Sequence, residues 1–317
     1  MPLARRSFIA LLVLAGCAAP NPGTSGSPGT DTPAASAVAS TPASESVEPS
    51  TAAIVVEPTV FADGVISTPA EEWRISFTPD GQTAYFARSD GFFPQTRQAT
   101  IMETTLVDGT WSEPVVASFS GEFPDIDPWV SPDGEHLYFS SIRPIAGETR
   151  GDVELFRVDR TEDGWSEPMH LAELGSELDE LGLSVAADGT AVFASDRPGA
   201  VGGWDLYVAA ADGDSFTAPE PLADLNTAVW EFNPAIAADG ATLVFTSIGR
   251  PGGTGLGDLF VSEREGDGWS ADRPLTLNTG ADEYHASLSP DGETLYFVRR
   301  TVQGDLYELD WAAAAGS

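Results

Sequence analysis

The chain has 317 residues, of which 49 are acidic and 15 basic, and its formal net charge is −34. Every basic residue is an arginine, and so lopsided a balance argues against nucleic acid or an anionic lipid surface as partner, because phosphate contacts need clustered positive charge. The acidic surface reads either as a solvated shell or as an attraction for cations or a basic partner. One cysteine permits no internal disulfide, so the fold must stand on packing.

Arg5 and Arg6 lead into a short apolar run over residues 8–14, followed by Ala15, Gly16 and Cys17. This is the layout of an export signal, and it is too short to span a bilayer. The stretch LAGC at 14–17 resembles the lipobox of bacterial lipoproteins. That resemblance implies cleavage before Cys17 and its acylation, and two or more acyl chains make a stable anchor. An ordinary signal peptide with a chance cysteine is the alternative. Residues 18–52 are rich in Pro, Ser, Thr, Ala and Gly, with few large apolar side chains, and are expected to be a disordered tether. Residues 53–311 then form one domain, with 312–317 a short tail.

Within that domain five segments repeat: SFTPDGQTAYFA, WVSPDGEHLYFS, SVAADGTAVFAS, AIAADGATLVFT and SLSPDGETLYFV. Their turn aspartates, Asp80, Asp133, Asp188, Asp239 and Asp291, are separated by 53, 55, 51 and 52 residues. Asp-Gly between alternating apolar runs marks a two-residue hairpin, because glycine tolerates the positive φ such turns demand. A third strand follows in DLYVA from Asp205, DLFVS from Asp258, DLYEL from Asp305 and ELFRV from Glu154. Trp111, Trp165, Phe216 and Trp269 then open a fourth segment, with Pro114, Pro168, Pro219 and Pro274 shortly after. Proline has no N–H to donate, so it suits an outermost strand.

Four antiparallel strands per copy, edge last, predict an all-β fold: a β-propeller of five four-stranded blades. The fifth copy lacks its own fourth strand, and residues 55–58 (VVEP) align with the WSEP that begins at Trp111. The N-terminal strand is therefore expected to complete the C-terminal blade, which removes an open sheet edge.

The SPDG-type turns and the run SIGRPGGTGLGDLFVSEREGDGWS at 247–270 resemble the TolB-like, WD-related propeller repeats of bacterial envelope proteins. The resemblance covers residues 53–311. It implies a binding scaffold in the cell envelope, and six blades, common among TolB-like proteins, is the alternative count.

Eight residues before each turn aspartate stands an acid: Glu72, Asp125, Glu180, Glu231 and Glu283. The loop after the second strand returns to the same rim with Arg88, Arg143, Arg197, Arg250 and Arg299. Facing acids and arginines predict rim ion pairs that stitch blades together, and no metal site, since calcium or magnesium wants several unpaired oxygens at one point. Six residues before the turn the copies disagree, with Arg74, Asp127, Gly182, Asn233 and His285. A feature shared by all repeats serves the repeat, so this irregular row, with Trp129 and Trp230 nearby, is the candidate ligand-binding mouth. The alternative is a row of exposed rim residues with local hydrogen bonds.

No GxSxG, HExxH or cysteine cluster is present, and His136, His170 and His285 occupy unrelated repeat positions. Nothing in the sequence requires a cofactor. The reading favoured is a non-catalytic, monomeric, lipid-anchored propeller on the periplasmic face of the outer membrane, which binds an envelope protein or peptide at its mouth. Its only membrane contact is the lipid. The alternative is a five-bladed glycoside hydrolase, with Asp127 and Glu231 or Glu283 as the carboxylate pair.

Overall fold

The structure, a computed structural model, describes residues 56–91, 98–149 and 151–316. The proposed signal, lipobox cysteine and tether, all within residues 1–52, lie outside the described residues. The Asp-Gly turns each join an innermost strand to a second strand, and in the first three blades both are buried along nearly their whole length by the sheets on either side. In the first blade the strands are Glu71–Phe77, Thr83–Ser89, Ala99–Val107 and Val115–Val116. The second blade has Asp125–Val130, His136–Ser141, Glu154–Thr161 and Met169–His170. In the third they are Glu180–Val185, Ala191–Ser195, Asp205–Ala209 and Glu220–Pro221. The fourth contains Trp230–Ile236, Thr242–Ile248, Gly257–Glu265 and Arg273–Pro274. The fifth has Asp282–Leu288, Thr294–Arg300 and Gly304–Asp310, and its outer strand is Thr59–Val60 from the other end of the domain. The blade count is five.

Closure thus uses a strand from the N-terminal side, as expected, but its position differs. Thr59 pairs with Glu308 and Val60 with Tyr307, whereas residues 56–58 belong to no strand and Val55 is outside the described residues. The aligned VVEP and WSEP are equivalent; the pairing dipeptide comes just after the proline, as it does at Val115–Val116. Phe61 follows at once, its N–H donating to the Leu306 carbonyl at 2.8 Å, and its ring lies against Tyr296, Trp111 and Phe77 where the first and fifth blades meet.

The outer strands differ from expectation in the same way. Trp111, Trp165, Phe216 and Trp269 do not open them; each sits in a two-residue ribbon paired back on the far end of the third-strand segment. The chain then turns and pairs its true outer strand further down the third strand. Pro221 and Pro274 lie in these edges, where a missing N–H costs no ladder bond. After the last blade, in the stretch expected as a short tail, Trp311–Ala315 forms a short helix with Ala314 buried in the core.

Every innermost strand carries a register shift, between Glu72 and Ile75, Ile126 and Trp129, Leu181 and Ser184, Phe232 and Ala235, and Tyr284 and Ser287. Each shift is a β-bulge, which re-aims one side chain at the same height in every blade.

Candidate functional site

The bulged residues are the irregular row of the sequence. Asp127, Gly182, Asn233 and His285 have φ of 58°, 65°, 46° and 52°, the left-handed region in which only glycine is free of strain. Sequence reasoning left this row on an accessible mouth. In the structure Arg74 is 0 %, Asp127 1 %, Asn233 2 % and His285 6 % exposed, and together they close the centre of the ring.

Arg74 reaches furthest. From the first blade its Nη1 donates to the Leu183 carbonyl of the third at 3.4 Å, and its Nη2 donates to the Pro234 carbonyl of the fourth. Its guanidinium lies 5.0 Å from the ring centroid of Trp129, from the second. Burial pushes its pKa down to about 10 while the Asp127 charge pulls it back, so it stays a cation near neutral pH. Asp127 Oδ1 lies 2.9 Å from His285 Nδ1, in poor alignment for a hydrogen bond, and Asn233 Nδ2 donates to Asp127 Oδ2 at 3.4 Å. Gly182 leaves room for this arrangement, since a Cβ there would stand 3.1 Å from the Asn233 backbone. All five blades therefore contribute one residue to a polar hub.

The aromatic candidates separate. Trp129 belongs to the hub, donating from Nε1 to the Val185 carbonyl at 3.1 Å where the equivalent positions hold Ser76, Ser184, Ala235 and Ser287. Trp230 is half-buried and packs against Gly203 in the neighbouring loop, a contact that any Cβ at 203 would break. Trp73 meets the His285 ring edge-on, with centroids 5.3 Å apart.

Around the hub the five acids and five arginines pair: Glu72 with Arg88 at 3.1 Å, Asp125 with Arg143 at 2.8 Å, Glu180 with Arg197 at 3.2 Å, Glu231 with Arg250 at 2.8 Å and Glu283 with Arg299 at 2.8 Å. Each pair joins the first strand of a blade to its second strand or to the residues just after it, so it does not itself bridge two blades. The arginine extends further, to a carbonyl of the segment arriving from the previous outer strand: Ile66, Phe119, Leu174, Leu225 and Leu277. Each guanidinium also covers a second-strand phenylalanine, from Phe86 to Phe297. Burial raises the pKa of Glu72 and Glu180 to about 7 against these partners, and raises Asp125 and Glu231 as well.

Sequence reasoning missed two parts of this ring. A serine or threonine completes each acid's shell: Thr68, Ser120, Ser176, Thr227 and Thr279 donate at 2.6–2.7 Å. The signal was a hydroxyl residue four or five positions before each acid. Blade-to-blade contact is made elsewhere, by acids one residue before the ring: Glu71 accepts from Gly304 N–H and Asp179 from Val153 N–H, each at 2.7 Å, and Asp282 accepts from Gly257 N–H at 3.3 Å.

Chemically, this centre is a set of neutralised charges. Glu231 and Glu283 are 0 % exposed and held by arginine and threonine, so neither is free to act beside Asp127 as acid or base. Among the described residues no three or more His, Cys, Asp or Glu converge as metal ligands. Outside the hub, the loops on the face where the inner strands begin carry exposed Leu178, Val201, Leu256 and Val302.

No family model matches the sequence, and no curated protein matches it. Solved structures do. TolB from Acinetobacter baumannii superposes with a TM-score of 0.50 at 20 % identity, over 77 % of this chain and 53 % of that one, so the chain spans about half the length of that TolB. An α-L-arabinofuranosidase from Lactobacillus brevis gives 0.51 at 17 % identity, over 78 % and 90 % of the two chains. A family 117 glycoside hydrolase from Zobellia galactanivorans gives 0.50 at 12 % identity, over 81 % and 89 %. At such identities the likeness is one of fold, and on that ground the chain is a five-bladed β-propeller that shares its fold with TolB and with these glycoside hydrolases.

Proposed function

We propose that this propeller is a binding module of the cell envelope, lipid-anchored through Cys17, that receives a protein or peptide segment on the face where its inner strands begin. The observation that carries this reading is a contrast between axis and rim. The axis is closed by Arg74, Asp127, Asn233 and His285, which bind one another and backbone carbonyls, so no ligand passes through the ring. The surrounding loops instead present Leu178, Val201, Leu256 and Val302 to solvent, and exposed apolar side chains among polar ones mark interaction surfaces. His285, at 6 % exposure, is the least buried of these four hub side chains.

Capture of envelope proteins by the wild-type chain is compared with capture by a Val201→Glu, Val302→Glu double variant. Both sites are exposed, so the variant is expected to fold normally and to lose a partner that the wild type retains. Equal recovery by both proteins overturns the mouth reading. Release of reducing sugar from envelope glycans by the pure protein replaces binding with hydrolysis. Loss of lipid labelling in a Cys17→Ala variant tests the anchor, and labelling that persists removes it.

A further inference from the structure

At the opposite end of the inner strands, where the Asp-Gly turns lie, a cleft of about 320 Å3 opens between the second and third blades. That is the size of a small-molecule site. Its origin is a shorter turn: Asp188 precedes Phe193 by five residues, where Asp133 precedes Phe139 by six. Much of what the third blade presents here is small, and Gly189 approaches Ala211 so closely that a Cβ would stand 2.5 Å from the alanine methyl. Tyr138 and Phe216 form an apolar floor, their ring centroids 6.2 Å apart.

The polar wall breaks the repeat. Arg157 pairs in register with Tyr138, and the equivalent third-strand positions hold Glu103, Val208, Val261 and Glu308. His136 pairs with Asp159, and Thr83, Thr242 and Thr294 stand in its place in three other blades. A chain of net charge −34, with 15 arginines and three histidines, thus places an arginine and a histidine in one cleft. Asp159 already shows what they accept: its Oδ1 lies 2.8 Å from both His136 Nδ1 and Arg157 Nε.

Arg157 is 7 % exposed and still has capacity. Of its five N–H donors, one bonds the Asp214 carbonyl at 2.8 Å, one approaches Asp159 Oδ2 at 3.4 Å, and Nε makes no aligned hydrogen bond. Asp133 lines the same cleft, from the turn that leads into His136. Burial disfavours its charge, but the Ser131 hydroxyl and Glu135 N–H outweigh that and hold it below its ordinary pKa, as a carboxylate. The second blade therefore brings an arginine and a histidine that hold a carboxylate, and a carboxylate of its own turn, into one cleft with an aromatic floor.

We infer that this cleft binds a zwitterionic α-amino acid with an apolar side chain: its carboxylate on Arg157 and His136, its ammonium on Asp133, and its side chain on Tyr138 and Phe216. The site is separate from the mouth and independent of what binds there.

Calorimetric titration of the full chain tests this with L-phenylalanine, phenylalaninamide and N-acetyl-L-phenylalanine. The free amino acid is expected to bind, and each blocked form to bind at least about tenfold more weakly, the value of one charge-assisted contact. Arg157→Val and His136→Thr install residues that sister blades carry at the same register, so both should fold, and both should weaken binding by about tenfold or more. No heat at about 10 mM ligand, where a site with a Kd of about 1 mM would be filled, overturns the assignment. So does equal binding of the three probes in the wild-type chain, which needs no variant to fold.

Discussion

His285 and Asp127, from the fifth and second blades, stand 2.9 Å apart at the centre of the ring, with Arg74 balancing the same carboxylate from the first. The hub therefore ties together blades that are not neighbours. Removing one partner of a buried pair leaves the other uncompensated, so Arg74→Ala is expected to cost about 3–5 kcal/mol in urea denaturation. Arg74→Met with Asp127→Asn removes both charges and keeps an asparagine where φ is 58°, and it should be clearly more stable than Arg74→Met alone. An unchanged midpoint for Arg74→Ala would contradict the hub.

Phe61 tests the seam. It is buried against Tyr296, Trp111 and Phe77, immediately after the closing strand. Phe61→Ala should lower stability by about 3–5 kcal/mol. Limited proteolysis should then cut near residues 56–63 before any other site, and a first cut elsewhere would mean the seam is not the weakest joint.

Two inner-strand positions with the same repeat offset should behave differently. Phe77 is buried, whereas Leu288 is only half-buried. Phe77→Ala is expected to cost about 3–5 kcal/mol and Leu288→Ala under about 2 kcal/mol. Equal losses in matched denaturant melts would count against this packing.

Stability should depend on pH in two opposed ways. Glu72 and Glu180 have folded pKa values of about 7 against an ordinary 4.5, so the fold favours their protonated forms. Their contribution is full below pH 4.5 and is lost as pH rises through 7. The turn residues Asp80, Asp133, Asp188 and Asp291 are shifted down from 3.8, and their contribution disappears as pH falls through those lowered values. The melting temperature should therefore peak near about pH 5 and fall towards pH 8. Glu72→Gln with Glu180→Gln should flatten the fall above pH 5; a variant with the same slope as wild type would reject this origin.

Much of the architecture was readable because Asp-Gly turns recur at near-constant spacing and each needs the same backbone. The closing strand was located to within two residues by the alignment of VVEP with WSEP, and proline marked an edge strand without fixing which dipeptide pairs. A two-residue strand carries no alternation of its own to reveal that. The central row was visible as the one offset where Arg74, Asp127, Gly182, Asn233 and His285 disagree, but its burial was not. Counting by twos assumes an unbroken pleat, and the bulge at each of these residues turns the side chain inward without altering composition. The partner of each ring arginine was likewise legible, while its place within one blade depended on a strand register that only the fold displays.

The bond between Thr59 and Glu308 spans 249 residues of chain. A chain read out from its N-terminus must hold that dipeptide in waiting until Glu308 has been made. Completion of the circle is then the final event of folding, and until it happens the edge at Tyr307 and Glu308 stays open to any other extended segment. The latch that gives the mature ring its unity is also the reason its newborn form needs guarding.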